Sequence, residues 1–186
     1  SVLLSQTQLL HSSVEIGSIS EVRGSAQVLR DKAYGAELQF NIQQMDDVRT
    51  EAGRVAITFE DDSTVKLTEH SKLVIDEYIY DPDPSKSKMA LKFASGTARF
   101  ITGKFNNKSN ISIRTPTAQI AIRGTDFTCT VDELGRSLVI LLPDENGISS
   151  GEILVSTAMG SVTLNKPYQA TTVSVYENNP TKPVTL

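Results

Sequence analysis

Apolar side chains change phase inside one short stretch of this chain, and a regular β-strand cannot do that. From position 113 to 127 the sequence runs Ile-Arg-Thr-Pro-Thr-Ala-Gln-Ile-Ala-Ile-Arg-Gly-Thr-Asp-Phe. Ala118, Ile120 and Ile122 take the even positions, whereas Phe127, Cys129 and Val131 take the odd ones. Side chains alternate across a strand with a period of two, so the backbone must bulge or turn between Ile122 and Phe127. Gly124 can take the positive φ that such a corner often needs, and Thr125 and Asp126 can bond the backbone it exposes. Arg123 is close enough in sequence to pair with Asp126. That predicts a buried or half-buried ion pair locking the corner, and a severe loss of stability on Arg123→Ala. Pro116 lacks an N–H and holds Thr115 extended, which suits a strand start or a sheet edge.

The same shift recurs around Gly96, where Leu91 and Phe93 are out of phase with Ala98 and Phe100. Elsewhere strand signals dominate. Val55, Ile57 and Phe59 alternate with smaller residues, Glu60-Asp61-Asp62-Ser63 breaks the run, and Val65 and Leu67 resume it, which predicts a hairpin with a polar tip. Leu73 and Ile75, Ile111 and Ile113, 153–155, 162–164 and 173–175 read as further short strands, with polar loops at 81–88 and 103–110. The run Leu138-Val139-Ile140-Leu141-Leu142 is continuously apolar, as expected of a strand buried on both faces. Short strands separated by turn signals predict an all-β chain: a two-sheet sandwich or roll with solenoid-like turns and little or no helix.

The stretch Thr-Pro-Thr-Ala-x-Ile-Ala-Ile-Arg-Gly-Thr-Asp-Phe, residues 115–127, closely resembles the signature of FecR-like domains. The resemblance extends upstream through Val22-Arg23-Gly24, Asp46-Asp47-Val48-Arg49-Thr50, the acidic hairpin of 55–67, Ser71-Lys72-Leu73, and Leu91-x-x-x-x-Gly96-x-x-Arg99. It places Thr115, Pro116, Arg123, Gly124, Thr125, Asp126 and Phe127 in the family signature, where a structural role is expected. It also implies an extended backbone over 37–47, although Leu38, Ile42 and Met45 are spaced as on a helix. The expected organisation is an N-terminal arm over 1–16, a FecR-like β domain over 17–176 with its strongest match at 17–127, and a tail or linker over 177–186.

Composition narrows the function. At 39% apolar and 22% charged residues the chain is globular rather than disordered. A net charge of −4 argues against nucleic acid, which rewards clustered Lys and Arg, and Lys104 and Lys108 beside Phe105 read as a solvated turn. One cysteine excludes an intramolecular disulfide or a cysteine-cluster zinc site, and Cys129, in phase with Phe127 and Val131, reads as a buried thiol. No stretch approaches the ~20 apolar residues that span a bilayer, so direct membrane insertion is not expected. Residues 1–13 have no Lys or Arg and read as a docking arm or a frayed end. His11 and His70 come with no nucleophile elbow or phosphate-binding glycine loop, so no catalytic residue, cofactor or metal is expected. The acidic groups at 46–47, 60–62, 81–83 and 144–145 read as solvated turns that lack a calcium-loop spacing.

The expectation is therefore a non-catalytic protein-interaction module whose partners are other protein subunits or copies of itself. FecR-like domains occur in transducers, in surface proteins and in phage particles. With no span and no helical effector region in this sequence, an extracellular or virion assembly is expected ahead of a periplasmic domain relaying transporter occupancy to a sigma factor. The sequence departs from the family pattern after Phe127, which makes Leu138, Ile140 and Leu142 the candidate interface: a partner site if exposed on an edge, core if buried on both faces.

Overall fold

The structure, a computed structural model, describes residues 14–104 and 110–186. The arm residues 1–13 with His11, and Phe105 and Lys108 of the polar loop, lie outside the described residues. In chain order the strands are β1 (Glu15–Arg23), β2 (Ala26–Leu29), β3 (Ala33–Gly35), β4 (Asn41–Gln43), β5 (Asp47–Thr50), β6 (Arg54–Phe59), β7 (Thr64–Leu67), β8 (Lys72–Ile79) and β9 (Lys88–Ile101). They continue as β10 (Asn110–Arg114), β11 (Gln119–Arg123), β12 (Asp126–Val131), β13 (Ser137–Leu141), β14 (Glu152–Ser156), β15 (Ser161–Leu164), β16 (Gln169–Val173) and β17 (Val184–Thr185). A single 3₁₀ turn, Pro84–Lys86, is the helical content among the described residues, and 37–47 is turn and strand.

Two sheets face each other and neither closes into a barrel. Sheet I runs β4-β1-β6-β7-β9-β12-β13-β16-β17. Sheet II runs β3-β2-β5-β8-β9-β10-β11-β14-β15. From β10 onward successive hairpins fall alternately into the two sheets, which is the origin of the solenoid-like turns.

Strand β9 belongs to both sheets. Its residues 88–95 pair with β8 and β10 in sheet II, and its residues 96–101 pair with β7 and β12 in sheet I. The crossing falls at Gly96, with φ at +101°. A Cβ there would overlap Ser71 Oγ and lie 2.5 Å from Ser71 Cα. The phase shift between Phe93 and Ala98 therefore turns the strand's apolar face inward in both sheets. Phe93, Ala98 and Phe100 all join the one core cluster between the sheets, with Ile19, Ile57, Leu73, Ile120, Phe127, Leu141 and Ile153.

Residues 177–186, expected to form a tail or linker, lie against β16. Thr181 bonds Thr171 and Thr172, and β17 pairs with Gln169 and Ala170. Two acidic pairs expected as solvated turns are also corrected, because Asp46 and Asp61 are fully buried. Asp46 accepts two bonds from Arg30, Nε and Nη2, each at 2.7 Å, and one from Gln43 N–H at 2.8 Å. Asp61 accepts from Tyr78 Oη at 2.7 Å and Ser63 Oγ at 2.5 Å. Hydrogen bonds to the charged form offset the desolvation that would otherwise keep a carboxylate out of the core.

Candidate functional site

The signature stretch is built from a hairpin turn, a strand, a corner and a second strand. Pro116, read from the sequence as a strand start or a sheet edge, lies in the 115–118 turn that joins β10 to β11. Pro116 has no N–H to extend the ladder, and Thr115 Oγ1 accepts the N–H groups of Thr117 and Ala118 at 3.2 and 3.0 Å. Thr115 and Thr117 also each share a 2.7 Å hydroxyl contact with the buried Ser137 Oγ. That ties a sheet II turn to the first residue of β13 in sheet I.

The chain leaves sheet II at Arg123 and enters sheet I at Asp126. Gly124 makes the step with φ at +55° and open space where a Cβ would stand. Thr125 is 3% exposed and its backbone is gripped from both sides. Its carbonyl accepts from Thr102 N at 2.9 Å and Thr102 Oγ1 at 2.8 Å, and its N–H donates to Thr102 Oγ1 at 2.9 Å. Its own hydroxyl has no hydrogen-bond partner among the described residues. Ser150 accepts the N–H of Asp126 at 2.9 Å and donates to the Leu142 carbonyl at 2.7 Å, so the 143–151 segment braces the same corner. Behind it Phe127 stacks on Phe100 with centroids 5.1 Å apart, and Phe100 meets Phe93 edge-on at 6.0 Å.

Asp126 does not pair with Arg123. Its carboxylate takes a two-pronged contact from Arg99 of β9, Nε to Oδ1 at 2.9 Å and Nη2 to Oδ2 at 2.6 Å. The reason is topological. Arg123 is the last residue of β11 on the exposed face of sheet II, opposite Glu152, whereas Asp126 opens β12 in sheet I. Arg99 is opposite Thr128 and hence diagonal to Asp126 on the same face, within reach of a long side chain. Arg99 stands in the Gly-x-x-Arg step of the sequence, but three residues of spacing says nothing of its partner 27 positions on.

The candidate interface behaves as neither of the two alternatives. Strand β13 lies inside sheet I, between β12 and β16, rather than on an edge. Val139 and Leu141 are fully buried, whereas Leu138, Ile140 and the following Leu142 are half-buried on the outer face. Cross-strand Thr130 and Thr172 flank Leu138, so the apolar run is split between core and surface.

Chemistry-bearing groups are few. Burial pushes the Cys129 thiol up to about 12, which leaves it protonated and inert as a nucleophile near neutral pH. His70 is exposed, in a turn with φ at +56°, and donates its N–H to the Glu51 carbonyl at 2.9 Å. Among the described residues no three His, Cys, Asp or Glu side chains converge as a metal site would need. No helix among them is long and apolar enough to cross a membrane. What remains is surface: the outer face of sheet I beside Arg99 is an open groove of about 730 Å³ reaching Ser20, Lys66 and Thr128.

A family model described as FecR protein matches residues 46–163. No curated protein matches the sequence. Two crystal structures of a candidate anti-sigma factor from Parabacteroides distasonis ATCC 8503, at 1.65 and 2.50 Å resolution, superpose with a TM-score of 0.56 at 14% identity. Each match covers 73% of this chain and 57% of the other, so this chain spans under two thirds of its neighbour's length. The expectation of a structural part of a virion or surface assembly is overturned here, since the family match favours a signal-transduction regulator.

Proposed function

This chain belongs to the FecR protein family, and from that premise we propose that it is the folded β domain of a signal-transduction regulator. It would act on the periplasmic side, relaying the occupancy of an outer-membrane transporter towards a sigma factor through protein contacts. The observation that carries the reading is the family match over residues 46–163, which takes in the crossing strand β9 and the whole corner.

The geometry suits a relay better than a reaction. The corner is held by Thr102, Ser150 and Arg99, and β9 is covalently continuous between the sheets. A load on the outer face of sheet I is therefore transmitted to sheet II through a 14-residue strand rather than a loop. The neighbour's description as a candidate anti-sigma factor supports the same reading, although at 14% identity the likeness itself speaks for the fold.

The test is genetic. Delete this chain in its source cell and compare transcripts with and without the substrates of the cell's outer-membrane transporters. A small set of genes losing its response to one substrate is the expected outcome. An unchanged response to every substrate refutes the proposal.

A further inference from the structure

Four adjacent strands of sheet I set like charges face to face. Arg23 of β1 is directly opposite Arg54 of β6, and Lys66 of β7 is directly opposite Arg99 of β9. Like charges in directly opposed positions destabilise a sheet. Two such pairs on one face break a local rule of folding, and the places where a protein does so are expected to be functional.

All four side chains are exposed, and all line a groove on that face, of about 730 Å³. Glu21 is the sole carboxylate in its lining. The groove thus presents four cations against one anion in a chain whose net charge is −4. Arg54 is answered from outside the lining by Glu69 at 3.0 Å and Arg99 by Asp126 at 2.6 Å. Arg23 and Lys66 make no ion pair among the described residues. Leu38, 58% exposed, stands in the same lining, and Thr97 and Thr128 supply hydroxyls.

We propose that this groove is the docking surface for an acidic polypeptide segment of a partner protein. Carboxylates laid between Arg23 and Arg54, and beside Lys66 and Arg99, would replace repulsion with attraction in both pairs, and Leu38 would take an apolar side chain at the rim. Charge complementarity selects the occupant, and the surplus of acid over the rest of the chain turns other anionic surfaces away. The inference rests on the regulator reading only in taking the partner to be a protein.

The test uses the full chain and a fluorescein-labelled hexaglutamate peptide, followed by anisotropy at low salt, with labelled hexaglutamine as the neutral control. Hexaglutamate is expected to bind at least about tenfold more tightly, with the preference fading as salt screens it. Lys66→Glu should weaken hexaglutamate at least about tenfold, whereas Lys182→Glu, the same charge change far from the groove, should alter it less than about twofold. Lys66→Glu should also hold or raise the unfolding midpoint, because it removes a like-charge pair. Equal binding of the two peptides overturns the proposal. So does an equal effect of Lys182→Glu, which would make the binding bulk electrostatics. A lowered midpoint in Lys66→Glu overturns the premise that the pairing is a cost. None of these results touches the transcript test, so failure of the groove is distinguishable from failure of the regulator reading.

Discussion

Replacing Arg99 by alanine should destabilise the protein while replacing Arg123 should not, and the difference follows from which sheet each residue occupies. The Arg99–Asp126 contact is two-pronged, at 2.9 and 2.6 Å, with side chains 45% and 17% exposed. A fully exposed pair is worth about 0–1 kcal/mol, and removing one member of a buried pair costs about 3–5 kcal/mol. A pair with one half-exposed and one mostly buried member falls between, at about 1.5–2 kcal/mol for the coupling. Arg99→Ala also relieves the repulsion from Lys66 opposite, returning a few tenths, on the order of 0.2–0.5 kcal/mol. The net expected loss is about 1–2 kcal/mol, or roughly 2–8 °C in melting temperature for a chain of this size. Arg123→Ala, on an exposed strand end, should stay within about 0.5 kcal/mol. The assay is urea unfolding of Arg99→Ala, Asp126→Ala, the double variant and Arg123→Ala. A coupling below about 0.3 kcal/mol between Arg99 and Asp126, or an Arg123→Ala cost matching that of Arg99→Ala, would refute the reasoning.

Gly96→Ala should cost about 3 kcal/mol or more, read as a loss of soluble folded protein or a steep fall in urea midpoint, because the methyl strikes Ser71 where β9 crosses at positive φ. Tyr78→Phe should cost about 2–3 kcal/mol by the same measurement, since the buried Asp61 loses both the hydroxyl that donates to its carboxylate and the acceptor for its N–H. Thr125→Val should be neutral or stabilising, because it deletes a buried hydroxyl that has no partner among the described residues; a loss above about 1 kcal/mol would mean the hydroxyl is bonded. The Cys129 thiol, raised by burial to about 12, titrates near 8.5 once unfolded, so its contribution is complete below about pH 8.5 and is lost as pH rises towards 12. At pH 10 that loss is about 1–2 kcal/mol, and Cys129→Ala should flatten this alkaline limb; parallel stability curves for the two proteins would refute it.

Period-two alternation was enough to place most strands, since the pattern is local: a strand needs only its own side chains to show which face is apolar. The two phase shifts, at Gly96 and Gly124, were legible for the same reason. The loop of the 55–67 hairpin was legible from its acidic tip. By contrast, Asp46 and Asp61 read as surface because burial of a carboxylate depends on donors 16 and 17 residues away, Arg30 and Tyr78. The run 138–142 read as buried on both faces because hydropathy does not register that a threonine strand lies on each side.

By itself the sequence determined the class of fold, the places where the chain must turn between sheets, and the family signature over 115–127. Each is a short-range property, set by alternation, by glycine's freedom at positive φ and by proline's missing N–H. Only the tertiary structure decided which partners meet across those turns: Arg99 rather than Arg123 for Asp126, Ser71 under Gly96, and two pairs of like charges side by side on one face. Cross-strand neighbours are fixed by register, and register relates segments far apart in sequence, as with Arg99 and Asp126, 27 residues apart. No window along the chain contains it.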